Sequence, residues 1–156
     1  MKNPARFLLH LPVPWVFVLT YLLGVALERI GATKLSPQTG KVSTIAGGAL
    51  FLLGAIIAGW GLILFLRNRT TTVPGKSSAK LVTWGPYRFT RNPMYVGLTL
   101  AYLGEAGLLR QLWPVVLLPL TIAYVNWTVI PVEEAKLTEV FQEQYEQYRS
   151  QVRRWI

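Results

Sequence analysis

Long apolar runs separated by short polar connections organise this sequence. A bilayer's hydrocarbon core is about 30 Å thick, so a helix needs roughly 20 mostly apolar residues to cross it. Leu11 to Leu27 is one such run, closed by Glu28 and Arg29. Ser43 to Leu66 carries no charge and is the clearest span. Tyr95 to Leu109 is shorter and contains Glu105. Trp113 to Ile130 is uncharged and follows after only Arg110, Gln111 and Leu112, so the last two runs read as a tight helical hairpin. Beyond it, Leu137, Val140, Phe141, Tyr145, Tyr148 and Val152 recur three or four apart, the spacing of an amphipathic helix with a charged opposite face. The default place for such a helix is the membrane interface. The pattern predicts an all-α, polytopic membrane helical bundle of about four transmembrane helices with a C-terminal amphipathic interfacial helix. Residues 1–156 are expected to form one domain. Residues 1–66 read as a two-helix anchor, and 67–156 as a cofactor-binding loop, the hairpin and the C-terminal helix.

Composition agrees with a membrane setting. The chain is 52% hydrophobic and only 15% charged, where ordinary soluble domains carry about 25% charged residues. Its formal net charge of +9 comes from 16 Lys+Arg against 7 Asp+Glu. With both termini on one side, twelve basic residues gather there and in the middle loop, leaving Arg29, Lys34, Lys41 and Arg110 opposite. Cytoplasmic loops are the ones rich in Lys and Arg, so the termini and the middle loop are expected on the cytoplasmic side of a bacterial or archaeal inner membrane. Lys2 and Arg6 before the first run also suit a secretory leader, but the length of that run and the Glu28-Arg29 border fit a span better. Topology accounts for the basic residues without nucleic acid. Zero cysteines exclude a disulfide scaffold and a thiolate site, and His10 alone leaves little scope for histidine chemistry. Gly54 with Ala58, and Ala55 with Gly59, permit close helix packing. Packing within the chain is preferred over a dimer contact.

The chemistry concentrates in the second half. The loop from Arg67 to Gly97 holds six basic residues and no acidic one. Arg67, Arg69 and Lys76 need no role beyond topology and contact with anionic lipid. Gly85-Pro86 punctuates a turn. Asn92 reads as an N-cap with Pro93 at the first helical position, and a helix start offers N–H groups to a carboxylate or phosphate. Glu133 and Glu134 sit in the first turn of the C-terminal helix, where the helix dipole favours acids. The hairpin brings them toward Asn92, so a basic helix start and paired carboxylates share one space suited to a zwitterionic ligand. Glu105, an acid inside a span, is a functional candidate or sits near the outer interface with Arg110.

Leu81 to Gly97 (LVTWGPYRFTRNPMYVG), followed by Glu133–Leu137 (EEAKL), Phe141, Tyr145, Tyr148 and the closing VRRWI, resembles the isoprenylcysteine carboxyl methyltransferase and phospholipid methyltransferase superfamily of membrane enzymes. The resemblance covers Leu81 to Ile156. It implies S-adenosylmethionine as cofactor, no metal, and cofactor-binding positions at Lys80, Leu81, Val82, Gly85, Tyr87, Asn92, Pro93, Met94, Tyr95 and Glu133. Arg91 corresponds to the arginine of the family's Arg-His-Pro-x-Tyr box, and Arg91 and Glu134 are the implied catalytic residues. Two departures stand out. Asn92 replaces the usual histidine. Val129 stands where carboxyl-methylating relatives hold the substrate carboxylate with an arginine, four residues before Glu133.

These readings imply methyl transfer to a hydrophobic or lipid-like acceptor, a carboxylate or thiol, reached from the bilayer. The alternatives are transfer to a phospholipid headgroup amine and a non-enzymatic membrane scaffold of the same fold. The expected partners are the bilayer and a hydrophobic small molecule, with no nucleic acid.

Overall fold

A computed structural model of the chain describes residues 13–31, 40–67 and 80–156. The expectations resting on Lys2, Arg6, His10, Lys34, Arg69 and Lys76 lie outside the described residues. Helix α1 is Val13–Gly31 and α2 is Gly40–Arg67. A 3₁₀ turn, Gly85–Arg88, precedes α3, Pro93–Leu109. Helix α4, Trp113–Tyr124, passes through a π turn, Val125–Val129, into α5, Ile130–Phe141. Helix α6, Glu143–Gln151, follows a break at Gln142, whose φ is 46°. No strand occurs among the described residues.

Three helical stretches are long and apolar enough to cross a membrane: Val13–Ile30, Gly40–Leu64 and Trp113–Phe141. The expected fourth span is α3, whose 17 residues reach about 25 Å at 1.5 Å per residue. It is shorter than the other three and runs against α2 along much of its length. Glycine makes that approach possible. A methyl group on Gly47 or Gly54 of α2 would collide with the backbone of Leu108 or Ala101, and one on Gly97 or Gly104 of α3 with Ala58 or Phe51. The Gly54 and Ala58 pair therefore serves packing within the chain, as expected. Gly59 faces open space.

Helix α1 packs chiefly on α4 rather than on α2. Gly24 lies against Pro114, and Thr121 donates to the Thr20 hydroxyl at 2.9 Å. The Glu28 carboxylate accepts from the Leu112 and Trp113 N–H groups at 3.0 and 2.9 Å, so α4 receives its N-terminal acceptor from another helix. Tyr21 donates to Gln111 at 2.7 Å, and Phe17 and Tyr21 meet Tyr102 edge-on. Those aromatics join Tyr95, Ala106, Leu118, Val125 and Ile130 in the core.

The C-terminal region differs from the expectation of one amphipathic interfacial helix. Helical structure continues unbroken from Trp113 to Phe141, then turns at Gln142. Tyr145 and Tyr148 of α6 are buried inward against the α3 start instead of lying on a lipid face. The π turn has a local cause. Pro131 has no N–H to bond the carbonyl of Trp127, four residues back. The ladder shifts instead, and the Ile130 N–H bonds the Val125 carbonyl, five residues back.

Candidate active site

The site begins at a turn that only glycine fits. Gly85 has φ of 65°, and a Cβ there would stand 2.8 Å from Leu64 Cδ1. Pro86 follows and is buried, and its carbonyl accepts from the Phe89 and Thr90 N–H groups at 3.2 and 3.4 Å. This folds Tyr87 inward. Burial, and then the charge of Glu133, push the Tyr87 hydroxyl up to about 12.

Asn92 occupies the N-cap position of α3, but its side chain does not cap. Its carbonyl accepts from the Tyr95 and Val96 N–H groups, while Nδ2 donates to the Arg154 carbonyl at 3.0 Å. Pro93 has no N–H, so Met94 is the first-turn residue whose N–H lacks an acceptor among the described residues. The side chains of Pro93 and Met94 pack toward Gly61 of α2.

Glu133 and Glu134, adjacent on α5, point about 100° apart and do different things. Glu133 Oε1 accepts from the Tyr95 hydroxyl at 2.6 Å, and no cation pairs with this carboxylate among the described residues. Glu134 is engaged by two arginines. Arg91 Nη1 lies 3.0 Å from Oε1; Arg154 Nε donates to Oε1 at 3.1 Å and Nη2 to Oε2 at 2.6 Å. The Arg91 and Glu134 side chains are only 11% and 10% exposed, against 30% for Arg154. Arg91 also donates to the Tyr145 hydroxyl at 3.4 Å, and its Nε is buried without a partner among the described residues.

The tail completes the enclosure. The Arg153 carbonyl accepts from the Arg91 N–H at 2.9 Å, and the Arg154 carbonyl from the Thr90 hydroxyl at 3.0 Å. Asn126, in the π turn, accepts from the Trp155 indole at 2.9 Å and from Arg154 Nη1 at 3.4 Å. Tyr148 donates to the Tyr87 carbonyl at 2.7 Å. Burial, reinforced by Tyr87 and Tyr145, raises the Tyr148 hydroxyl above the usual tyrosine range, and the hydrogen bonds to Glu134 raise Arg154 further.

The expected residues thus fall into three groups. Tyr87, Arg91, Asn92, Tyr95, Glu133 and Glu134 converge. Gly85, Pro93 and Met94 shape the turn and the helix start from behind, against α2. Lys80, Leu81 and Val82 lead into the turn without regular secondary structure, with Lys80 exposed, Leu81 half-buried and Val82 buried. Glu105 is half-buried, 13 positions along α3 from Asn92, or about 20 Å away, and belongs to the far end. A hollow lined by Gly40, Lys41, Thr44, Ile45 and Arg110 also opens there, away from Glu133. Sequence reasoning missed Arg154, Asn126, Trp155 and Thr90. Asn126 had a signal, since a polar side chain inside an apolar run calls for a partner. Arg154 was counted as a topological charge and as part of the closing VRRWI segment, without a role in the site.

A family model for phospholipid methyltransferases matches residues 42–144, about two thirds of the chain. The chain belongs to the phospholipid methyltransferase family. That family sits within the wider membrane methyltransferase superfamily that includes the isoprenylcysteine carboxyl methyltransferases. In this phospholipid methyltransferase family chain, the matched stretch includes α2, the Gly85 turn, α3, α4 and both glutamates, and stops before Tyr145 and the tail. The family and the three apolar stretches make it a membrane protein of methyltransferase type. No curated protein and no solved structure matches the chain.

Proposed function

We propose that this chain is an S-adenosylmethionine-dependent methyltransferase acting on a hydrophobic, lipid-like acceptor that approaches through the bilayer. The observation that carries the reading is Glu133, a carboxylate that pairs with no cation among the described residues and is oriented by Tyr95 at the start of α3. Its donor set suits the cofactor. A carboxylate takes an ammonium or ribose hydroxyls, the Met94 N–H takes a carboxylate, and the faces of Tyr87 and Tyr95 favour a sulfonium. Leu81 and Val82 would give apolar backing to the adenine, with Lys80 preceding them, and Gly85 sets the turn that carries Tyr87. When bound, the cofactor supplies an activated methyl group, so the protein's contribution is orientation, worth on the order of 7–11 kcal/mol in favourable cases. Both oxygens of Glu134 are committed to arginine, which suits holding Arg91 and Arg154 in place better than taking a proton. Arg91 and Glu134 are then supports of the catalytic arrangement.

The acceptor we favour is a phospholipid headgroup amine. Val129 is apolar where carboxyl-methylating relatives carry arginine, and both arginines of the site already bind Glu134. The family match points the same way. One observation favours the carboxylate or thiol reading expected from sequence: Arg91 Nε, a buried donor with no partner among the described residues, suits an anionic acceptor.

Titrating S-adenosylhomocysteine into detergent-solubilised protein tests the cofactor. Saturable binding that Glu133→Ala abolishes supports the assignment, and no binding by the wild type leaves the scaffold reading. Labelled S-adenosylmethionine supplied with native membranes then identifies the acceptor, phospholipid label supporting the amine. An amine attacks as its free base and titrates near 10, as lysine does, so its rate should climb through pH 7–9. A flat profile there favours a carboxylate.

A further inference from the structure

We propose that Arg154 is a positioning residue for the Glu133–Glu134 pair, fixing where the cofactor-binding carboxylate points; the proposal rests on the cofactor reading above. Glu133 and Glu134 are neighbours on one helix, so whatever fixes Glu134 also fixes the rotation of α5 and with it the direction of Glu133. Arg154 is the principal clamp on Glu134. It donates two hydrogen bonds, at 3.1 and 2.6 Å, one to each carboxylate oxygen. Arg91 places a single nitrogen near Glu134 and shares it with Tyr145.

Arg154 is also anchored at its backbone to the element that carries Tyr95. Its carbonyl accepts from the Thr90 hydroxyl and Asn92 Nδ2, both at 3.0 Å, and the preceding carbonyl accepts from the Arg91 N–H. A third attachment runs to the π turn, where Asn126 receives both Arg154 and the Trp155 indole. One residue therefore joins the start of α3 through its backbone to α5 through its side chain. Those are the two elements whose side chains meet in the Tyr95–Glu133 hydrogen bond. Lysine in its place keeps the charge but loses the planar fork that engages both oxygens.

The test measures S-adenosylhomocysteine binding and thermal melting on the full chain in detergent. Arg154→Ala should weaken binding by about 10- to 100-fold, by analogy with the loss of an outer partner that orients a metal ligand. Arg149→Ala, which removes an equal charge from an exposed ion pair with Glu146, should leave binding unchanged. Millimolar ethylguanidinium should restore part of the affinity of Arg154→Ala. Wild-type affinity in Arg154→Ala overturns the proposal. So does a loss that ethylguanidinium leaves untouched while melting falls in step, because Arg154 is then a general stabiliser. If Arg154→Ala fails to fold, Arg154→Lys decides: weakened binding supports the fork, and unchanged binding refutes it. Absence of binding by the wild type is seen before any substitution and overturns the cofactor reading as well.

Discussion

Adjacent glutamates with the same chemistry carry different expectations. Removing Glu134 leaves two guanidinium groups facing each other in a buried space. Breaking a buried pair in this way typically costs about 3–5 kcal/mol, so Glu134→Ala should lower the melting temperature sharply. Glu133→Ala should melt nearly as the wild type does while losing cofactor binding, and a comparison of the two melting curves checks the division. Tyr95→Phe removes one hydrogen bond to a charged group, worth about 1.5–3 kcal/mol. Its Kd for S-adenosylhomocysteine should rise on the order of tenfold to a hundredfold, read by calorimetry. The Tyr87 hydroxyl is raised from 10.0 to about 12 in the fold. Its unfolded form therefore loses a proton first as pH rises. The stability it contributes is full below pH 10 and is lost between about 10 and 12, a fall that Tyr87→Phe should reduce in alkaline melts. At this scale the sequence named Tyr87, Tyr95 and both glutamates. It set Glu133 apart as cofactor-binding and Glu134 as catalytic, but not the two arginines that hold Glu134, because a helix's rotation cannot be read from two neighbouring letters.

Among the helices, apolar run length located α1, α2, α3 and α4 to within a few residues, and Asn92-Pro93 marked the start of α3. The use of the Asn92 side chain was not legible, because its acceptor is a carbonyl 62 positions away. The π turn was hidden too, although Pro131 is its cause. An extra residue in one turn rotates everything after it by about 100°, and that rotation aims Glu133 at Tyr95. Pro131→Ala restores the missing donor and should let the regular ladder form. Circular dichroism should then record unchanged helix content, while S-adenosylhomocysteine binding falls. Retained binding would mean that the turn is held by packing alone. On α2 and α3, Gly54→Val or Gly97→Val drives a branched side chain into facing backbone and should prevent a cooperative melt.

For the molecule as a whole, the excess of basic residues predicts an orientation that chemical labelling can read directly. The chain has no cysteine, so single cysteines at Arg110 and Arg149 report without background. In inverted membrane vesicles, an impermeant maleimide should label position 149 and spare 110; the reverse pattern places the site on the other face. The whole-chain arrangement also explains why sequence reading anticipated the meeting of the α3 start with the two glutamates but not the tail packed against them. Helix starts and acid pairs have local signatures. The ties from Arg153, Arg154 and Trp155 to Arg91, Asn92 and Asn126 depend on how distant segments come together.

The partnership of α1 with α4 bears on how the protein is made. Glu28 and its acceptor role at Leu112 and Trp113 are separated by 84 and 85 positions. Helices enter a bilayer first and associate afterwards, and they emerge from the ribosome in chain order. Helix α1 therefore completes this contact only after α4 has emerged. The glycine seam of α2 and α3 forms between consecutive helices meanwhile. The α1–α4 contact thus depends on a segment more than eighty positions downstream, whereas the seam of α2 and α3 does not.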